Sequence, residues 1–290
     1  MPLMRSPMCY VGGKYRLLPQ LLPLFPKGIS SFADLFCGGM DVSLNAPCQR
    51  VYCNDVVKPL VAAYEWVASS AWETVDESLS ALKERYGLVL FGDKAGYEAL
   101  RRDYNASQNP PMTLMLAFCC FNHDINYNRK GKFNSPCGLD RGCYGAETRL
   151  RLRRMWEKLH SGGFIFSAGK FDAFDFGQLG KDAFVYCDPP YLISDARFNA
   201  LWNKEREAAL YSLLERLDAA GVEWGVSNVL ENKGLENGIL KAFAKRYNCL
   251  RLDMDYSNCS YRRKAKDGGD AIEVYVCNYE CEKPQMELDF

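Results

Sequence analysis

Asp188-Pro189-Pro190-Tyr191 sets a carboxylate, two rigid imides and an aromatic ring side by side. The preceding run, Ala183-Phe184-Val185-Tyr186-Cys187, is apolar, aromatic and β-branched, and predicts a buried strand. The prolines forbid both helix and ladder, so the chain leaves the strand abruptly. An acid and an aromatic are thereby held at the C-terminal end of a strand, where open α/β sheets bind ligands. The Asp188 carboxylate and the Pro189 carbonyl are two acceptors that suit both hydrogens of an exocyclic amine, and Tyr191 offers a π-face to the ring carrying it. A turn with an incidental acid would account for these residues as well, so the rest of the chain has to decide.

The elements that would position this turn alternate as in a doubly wound sheet. Phe32-Ala33-Asp34-Leu35-Phe36 predicts a first strand, and Cys37-Gly38-Gly39-Met40 a glycine turn at which a cofactor can lie against backbone, with a helix from about Asp41. The pattern is not G-x-G-x-x-G, so no dinucleotide fingerprint is met. Val51-Tyr52-Cys53 predicts a second strand ending at Asn54-Asp55, and an acid there is the usual partner of ribose hydroxyls in nucleotide and adenosyl cofactors. Upstream, Tyr10-Val11-Gly12-Gly13-Lys14 leads into Leu17, Leu18, Leu21 and Leu22, a helical apolar face. Lys14 at a helix start opposes the dipole, which favours an acid or a ligand anion beside it. Further on, Phe164-Ile165-Phe166 predicts a third strand ending near Phe171-Asp172, and the fourth leads into Asp188. A helix over 201–219, a fifth strand at 223–226 ending at Ser227-Asn228, a helix over 235–247 and a closing strand pair at 249–254 and 271–279 complete the series.

Residues 58–160 break the alternation. Helical patterns at 58–69, 72–86, 97–104 and 111–121 are followed by a polar, aromatic and basic loop over 122–138. In that loop Asn126, Asn128 and Asn134 could read adenine edges, and Arg129 and Lys130 could contact phosphate or guanine. Net charge is zero, with 36 basic and 36 acidic residues, so the whole chain shows no bias toward an anionic partner. Local charge does. Basic residues crowd positions 129–158, and Arg262-Arg263-Lys264 forms a second cluster, as a groove tracking phosphates would require. Of thirteen cysteines, Cys53, Cys119, Cys120, Cys187 and Cys277 lie in apolar runs and predict buried thiols in a reducing, cytoplasmic setting rather than a disulfide framework. With no C-x-x-C pair and only His123 and His160, no zinc site is expected. No apolar run reaches membrane-spanning length, and the N-terminus carries no signal-peptide pattern.

In this order the motifs resemble the Dam-like DNA adenine-N6 methyltransferases. The likeness runs through Val11-Gly12-Gly13-Lys14, Asp34 to Gly39, Asn54-Asp55, Gly131-Lys132-Phe133-Asn134-Ser135-Pro136-Cys137-Gly138, Asp188 to Tyr191 and Ser227-Asn228. It implies an α/β fold: a Rossmann-like, seven-stranded S-adenosylmethionine methyltransferase sheet with its last strand antiparallel and an inserted, mainly helical DNA-recognition domain. Residues 1–60 and 160–280 would form the catalytic domain, 61–159 the insertion and 281–290 a tail. By the same resemblance Tyr10, Lys14, Asp34, Phe36, Gly38, Asp55 and Asp188 surround S-adenosylmethionine, and Phe171 and Asp172 bracket its adenine. Asp188, Pro189 and Tyr191 would carry catalysis, with the target adenine flipped from duplex DNA, in a cytoplasmic enzyme that is bacterial or phage-encoded. Asn126, Asn128, Arg129, Lys130, Asn134, Arg262 and Arg263 would contact DNA. The chain departs from the family at Met40, where the glycine loop usually has a second glycine. It departs from the GATC-specific members at Cys9 and Asn126, which replace a lysine and an arginine at base-contacting positions, so GATC specificity is not implied.

Rival readings share parts of this logic. Cytosine-N4 methylation uses the same amine geometry, and an inactive DNA-binding homologue would keep the fold alone. Cytosine-C5 chemistry needs a nucleophilic cysteine after the fourth strand, whereas Pro47-Cys48-Gln49 lies between the first and second. Finally, Gln285-Met286-Glu287-Leu288-Asp289-Phe290 places apolar residues at alternate positions after a glutamine, similar to short peptides that dock on the replication sliding clamp.

Overall fold

The computed structural model describes residues 2–8, 12–88, 93–138, 143–193, 202–253 and 271–281. Its strands are β1 Ser31–Asp34, β2 Arg50–Asp55, β3 Phe164–Ala168, β4 Ala183–Cys187, β5 Glu223–Asn232, β6 Leu235–Glu236, β7 Asn248–Leu252 and β8 Ile272–Cys277. They lie in the order β3-β2-β1-β4-β5-β8-β7, with the two-residue β6 beside β5. β4 runs parallel to β1 and to β5, whereas β8 runs antiparallel to β5 and β7. This is the Rossmann-like sheet with a reversed last strand, extended by the short β6. Every residue of β4 is buried, as a central parallel strand covered on both faces requires.

The chain divides into two compact units. The first comprises Met1–Tyr15, Cys37–Asn45 and Tyr52–Lys170, and the second Arg16–Phe36, Ala46–Val51 and Phe171–Phe290.

The first unit holds α2 Lys58–Ser69, α3 Trp72–Arg85, α4 Lys94–Ser107, α5 Pro110–Cys119 and α6 Ala146–His160, close to the predicted helices but with α6 added. Residues 113–119 of α5 are all buried, because α2, α3 and α4 pack around a helix that is apolar on every side. α6 was legible only as a run of arginines. One of them, Arg149, grips Asp76 of α3 in a two-pronged ion pair, and Tyr144 donates to the same carboxylate at 2.7 Å. The Arg149 bonds hold the Asp76 carboxyl below its ordinary range. Two expectations are corrected here. Cys119, expected as a thiol, is joined to Cys143 in a disulfide, their Cα atoms lying 5.0 Å apart. The helix expected from Asp41 is a single 3-10 turn, Ser43–Asn45, since Pro47 disfavours helix in the residue before it.

The second unit contains α1 Leu18–Leu21, α7 Lys204–Ala219 and α8 Gly238–Ala244. Phe25, Phe32, Phe184, Tyr186 and Tyr275 form an aromatic core, with ring centroids 5.0–6.2 Å apart. Two boundaries move. β5 continues through Asn232 because β8 supplies an antiparallel ladder, so Ser227 and Asn228 lie inside a strand and not at its end. The helix predicted from 235 begins at Gly238, where Asn237 caps it by accepting from the Leu240 amide.

Gly225 is a position where only glycine fits. A Cβ there would stand 1.9 Å from Tyr275 Oη and 2.4 Å from Cζ. The ring cannot retreat easily, because its hydroxyl pairs with that of Tyr279 at 2.5 Å and Tyr279 is in turn bonded to the Leu24 carbonyl. Overpacking of this kind costs ~1–3 kcal/mol. Gly225→Ala should therefore lower stability by about that amount in urea unfolding. Gly238→Ala, with nothing within 4 Å of its added carbon, should leave the midpoint in place. Equal midpoints for the two variants would show that the Tyr275 ring is not held.

Candidate active site and nucleic-acid interface

The register of the second unit decides which side chains meet near Asp188. Asp34 pairs with Tyr186, Tyr186 with Gly225, Ser227 with Tyr275 and Val229 with Glu273. Paired residues share a face and alternate residues return to it, so Asp34, Tyr186, Ser227 and Glu273 all point to one side of the sheet. Asp188 itself is half-buried just past the end of β4. Ser227 donates to Asp188 Oδ1 at 3.2 Å and lies 2.7 Å from the Tyr186 hydroxyl. Tyr191 Oη is 2.6 Å from Glu273 Oε1 and 3.5 Å from Asp188 Oδ1. A phenol has one proton, and the shorter contact takes it. Burial, then the charges of Glu273 and Asp188, push the Tyr191 hydroxyl well up, so it remains a donor. Ser227 and Glu273 were not expected as site residues. The available signal was a lone acid in the apolar run Ile272-Glu273-Val274-Tyr275-Val276.

A second cluster in this unit is aromatic. Phe36 lies 5.5 Å from Phe171 and 5.6 Å from Trp202, and the last two are 5.8 Å apart. Asp34 Oδ1 accepts from the Phe36 amide at 3.3 Å, fixing the exit from β1. Phe171 is buried, and its neighbour Asp172 is exposed. Trp202 was missed because the sequence places it within a helix, whereas Asn203 caps α7 and leaves Trp202 outside. Its indole donates to Glu207, a fully buried carboxylate that also accepts from Tyr211, Asn228 and Asn237 at 2.6–2.9 Å. Four donors compensate a charge that would otherwise be costly to bury.

In the first unit Gly38 of the glycine turn is held by both its amide and its carbonyl. Asp55 Oδ2 accepts from the Gly38 amide at 2.9 Å, and Oδ1 accepts from Val57 at 2.8 Å. Tyr64 donates to the Gly38 carbonyl at 2.6 Å. Burial raises the Asp55 carboxyl in spite of these backbone donors. Met40 adopts φ 65°, so the left-handed conformation suited to a glycine persists with a fully buried methionine in place. Lys14 is buried with its ammonium 3.3 Å from the Gly12 carbonyl, and burial raises the Asp41 carboxyl against the Ser6 amide and the cations Arg5 and Lys14. α1 begins at Leu18, so Lys14 precedes the helix and does not stand at its start.

The polar loop of the first unit is a tight hairpin closed by the Tyr127–Phe133 bridge. Asn128 Oδ1 accepts from the amides of Lys130 and Lys132, which shapes the turn and leaves Arg129 and Lys130 exposed at its tip. The platform is α4. Asn105 clamps both peptide groups of Phe133, Gln108 donates to Gly131, and Tyr97 and Arg101 donate to the Ser135 carbonyl. Asn126 and Asn134 are linked through their backbones at 3.0 Å, with Asn134 exposed. Tyr10, Cys9, Arg262, Arg263 and residues 285–290 lie outside the described residues.

A family model described as D12 class N6 adenine-specific DNA methyltransferase matches residues 10–256. The chain is 34% identical over 281 residues to the type II methyltransferase M.FokI of Planomicrobium okeanokoites, covering 95% of this chain and 43% of that protein. It is 32% identical over 284 residues to modification methylase StsI of Streptococcus sanguinis, with shares of 95% and 43%. It is 28% identical over 234 residues to the DNA adenine methylase of Salmonella typhi, with shares of 77% and 80%. The chain thus spans less than half the length of the first two relatives.

The clamp on Phe133 makes the hairpin testable. Removing Asn105 leaves both Phe133 peptide groups without that partner, at ~1–3 kcal/mol. Asn105→Ala should raise the population of open hairpin by about tenfold or more, and trypsin cleavage at Arg129, Lys130 and Lys132 should accelerate accordingly. Unchanged cleavage in limited proteolysis would mean that α4 does not hold the hairpin.

Proposed function

Because the chain belongs to the D12 class of N6 adenine-specific DNA methyltransferases, we propose that it transfers a methyl group from S-adenosylmethionine to N6 of an adenine flipped out of duplex DNA. The observation that carries this reading is the Asp188-to-Tyr191 turn, with Asp188 and Tyr191 anchored by Ser227 and Glu273. The aromatic cluster of Phe36, Phe171 and Trp202 suits an adenine ring, and a glycine turn tied to a buried acid suits an adenosyl ribose. Tyr10, Lys14, Asp34, Phe36, Gly38, Asp55, Phe171, Asp172 and Asp188 are assigned to this ligand. When bound, S-adenosylmethionine supplies an electrophilic methyl group on a sulfonium.

The residues of the chain would act on the acceptor. An adenine amine is a poor nucleophile because its lone pair is delocalised into the ring. Hydrogen bonds from both N6 hydrogens to the Asp188 carboxylate and the Pro189 carbonyl favour a pyramidal nitrogen whose lone pair projects from the ring. Positioning and preorganised acceptors of this kind supply several orders of magnitude in rate. Asp188 need not be a strong base, since the amine becomes acidic once methylated. Tyr191, its hydroxyl held, presents its ring to the flipped base. Residues 61–159 would recognise the target, with Arg129 and Lys130 on phosphates, Asn126 and Asn134 near base edges, Asn128 setting the turn, and Arg262 and Arg263 in a second contact.

Asp188→Ala should abolish methyl transfer and leave DNA binding intact, as measured by methyl incorporation and by mobility shift. Liquid chromatography of nucleosides after reaction should yield N6-methyladenine. N4-methylcytosine alone, or equal loss of transfer and binding in a folded variant, would overturn the reading.

The proposal extends to the tail. Residues 285–290 would dock on a replication sliding clamp, raising the enzyme's effective concentration at newly made DNA. Their deletion should leave activity on oligonucleotides unchanged and remove clamp binding. A full-length chain that does not bind clamp even at high micromolar concentration would end this part.

A further inference from the structure

We propose that Glu273 is a positioning residue for methyl transfer, holding the Tyr191 ring by its hydroxyl and keeping the phenol proton away from Asp188. The inference rests on the reading of Asp188 to Tyr191 as the catalytic turn.

Glu273 lies within β8, and its neighbours Ile272, Val274, Tyr275 and Val276 are those of an ordinary buried strand. At 1% exposure it is a carboxylate where an apolar side chain would suit the strand better. A buried acid needs a partner, and here the partner is Tyr191 Oη at 2.6 Å, a short contact to an ionisable acceptor of the strong class. Tyr191 follows two prolines on a loop, so its backbone fixes only one end of the side chain. The Glu273 bond fixes the other end. An aromatic ring secured at Cβ and at Oη has little torsional freedom, and a base-stacking ring needs just that restriction.

The same contact sorts the protons. Asp188 Oδ1 receives Ser227 at 3.2 Å, while Tyr191, 3.5 Å from the same oxygen, is bonded to Glu273 instead. Were Glu273 unable to accept, the phenol proton would turn to the next acceptor, which is Asp188. A carboxylate that takes a phenol proton is a weaker acceptor for an amine. Glu273 thus acts through Tyr191 and Asp188 without touching substrate.

The test is a double-mutant cycle on the full chain, with wild type, Glu273→Leu, Tyr191→Phe and the double variant. Single-turnover methyl transfer to unmethylated DNA is measured, with S-adenosylmethionine and DNA affinities and urea unfolding read in parallel. Glu273→Leu, which offers the phenol no acceptor, should lower the transfer rate about ten- to hundredfold, the scale of lost positioning. Both affinities should stay within about twofold, because uniform binding is untouched. The double variant should be no slower than the slower single one, since both remove the same contact. Glu273→Gln, which keeps an acceptor at the same reach, should retain more activity than Glu273→Leu. Wild-type transfer in Glu273→Leu, additive losses in the double variant, or loss of DNA binding in step with rate would each overturn the proposal. A wild-type chain that transfers no methyl group would overturn the functional reading and this role with it. Coupling between the two sites in the unfolding cycle would then mark the contact as structural only.

Discussion

The antiparallel passage of β8 between β5 and β7 is the constraint on which the second unit depends. Its register sets Val229 against Glu273 and Ser227 against Tyr275. A slip of one residue would carry Glu273 to the opposite face and leave Tyr191 without its acceptor. The same register lays the Tyr275 ring across Gly225, so the strand that delivers the acid also demands a glycine from its neighbour. Fold and site are here one set of pairings, and the site inherits the rigidity of a buried sheet.

Two buried carboxylates in this unit illustrate different uses of an expensive group. Glu207 is saturated by Trp202, Tyr211, Asn228 and Asn237, and so ties the start of α7 to β5 and to the cap of α8. It is satisfied in the way a structural network must be, and losing any one partner would expose the charge to its desolvation cost. Glu273 has its short bond to a residue of the turn after β4. The first arrangement secures the frame around Trp202, and the second reaches the residues assigned to chemistry.

The first unit solves another problem, the presentation of an irregular loop. Tyr97, Arg101, Tyr104 and Asn105 recur at helical spacing on one face of α4, and Gln108 follows at its C-terminal cap. Most of this face grips backbone: Asn105 holds Phe133, Gln108 holds Gly131, and Tyr97 and Arg101 hold Ser135. Tyr104 adds a hydroxyl contact to Tyr127 at 2.9 Å. A loop fixed through its own peptide groups keeps its side chains available, which is why the exposed tip residues Arg129 and Lys130 can be basic without disturbing the hairpin.

Much of this was legible in the amino-acid sequence. The strand into Asp188, the glycine turn after β1, the acid closing β2 and the helices α2 to α5 all follow from short-range signals. Those signals are apolar period, proline and glycine placement, and the charge at a strand end. The sequence also marked Asp188 to Tyr191 as the place where the chain leaves β4, since two prolines after a buried strand leave the chain few choices. It did not reveal Ser227, Glu273 or Trp202 as neighbours of the site, the disulfide between Cys119 and Cys143, or the reduction of the Asp41 helix to one turn. The site contacts and the disulfide depend on partners distant in the chain: Glu273 is 82 residues from Tyr191, and Cys143 is 24 from Cys119. Local pattern states what a segment prefers to be. Which buried acid meets which hydroxyl is set by strand register and burial, and those exist only once the sheet has formed.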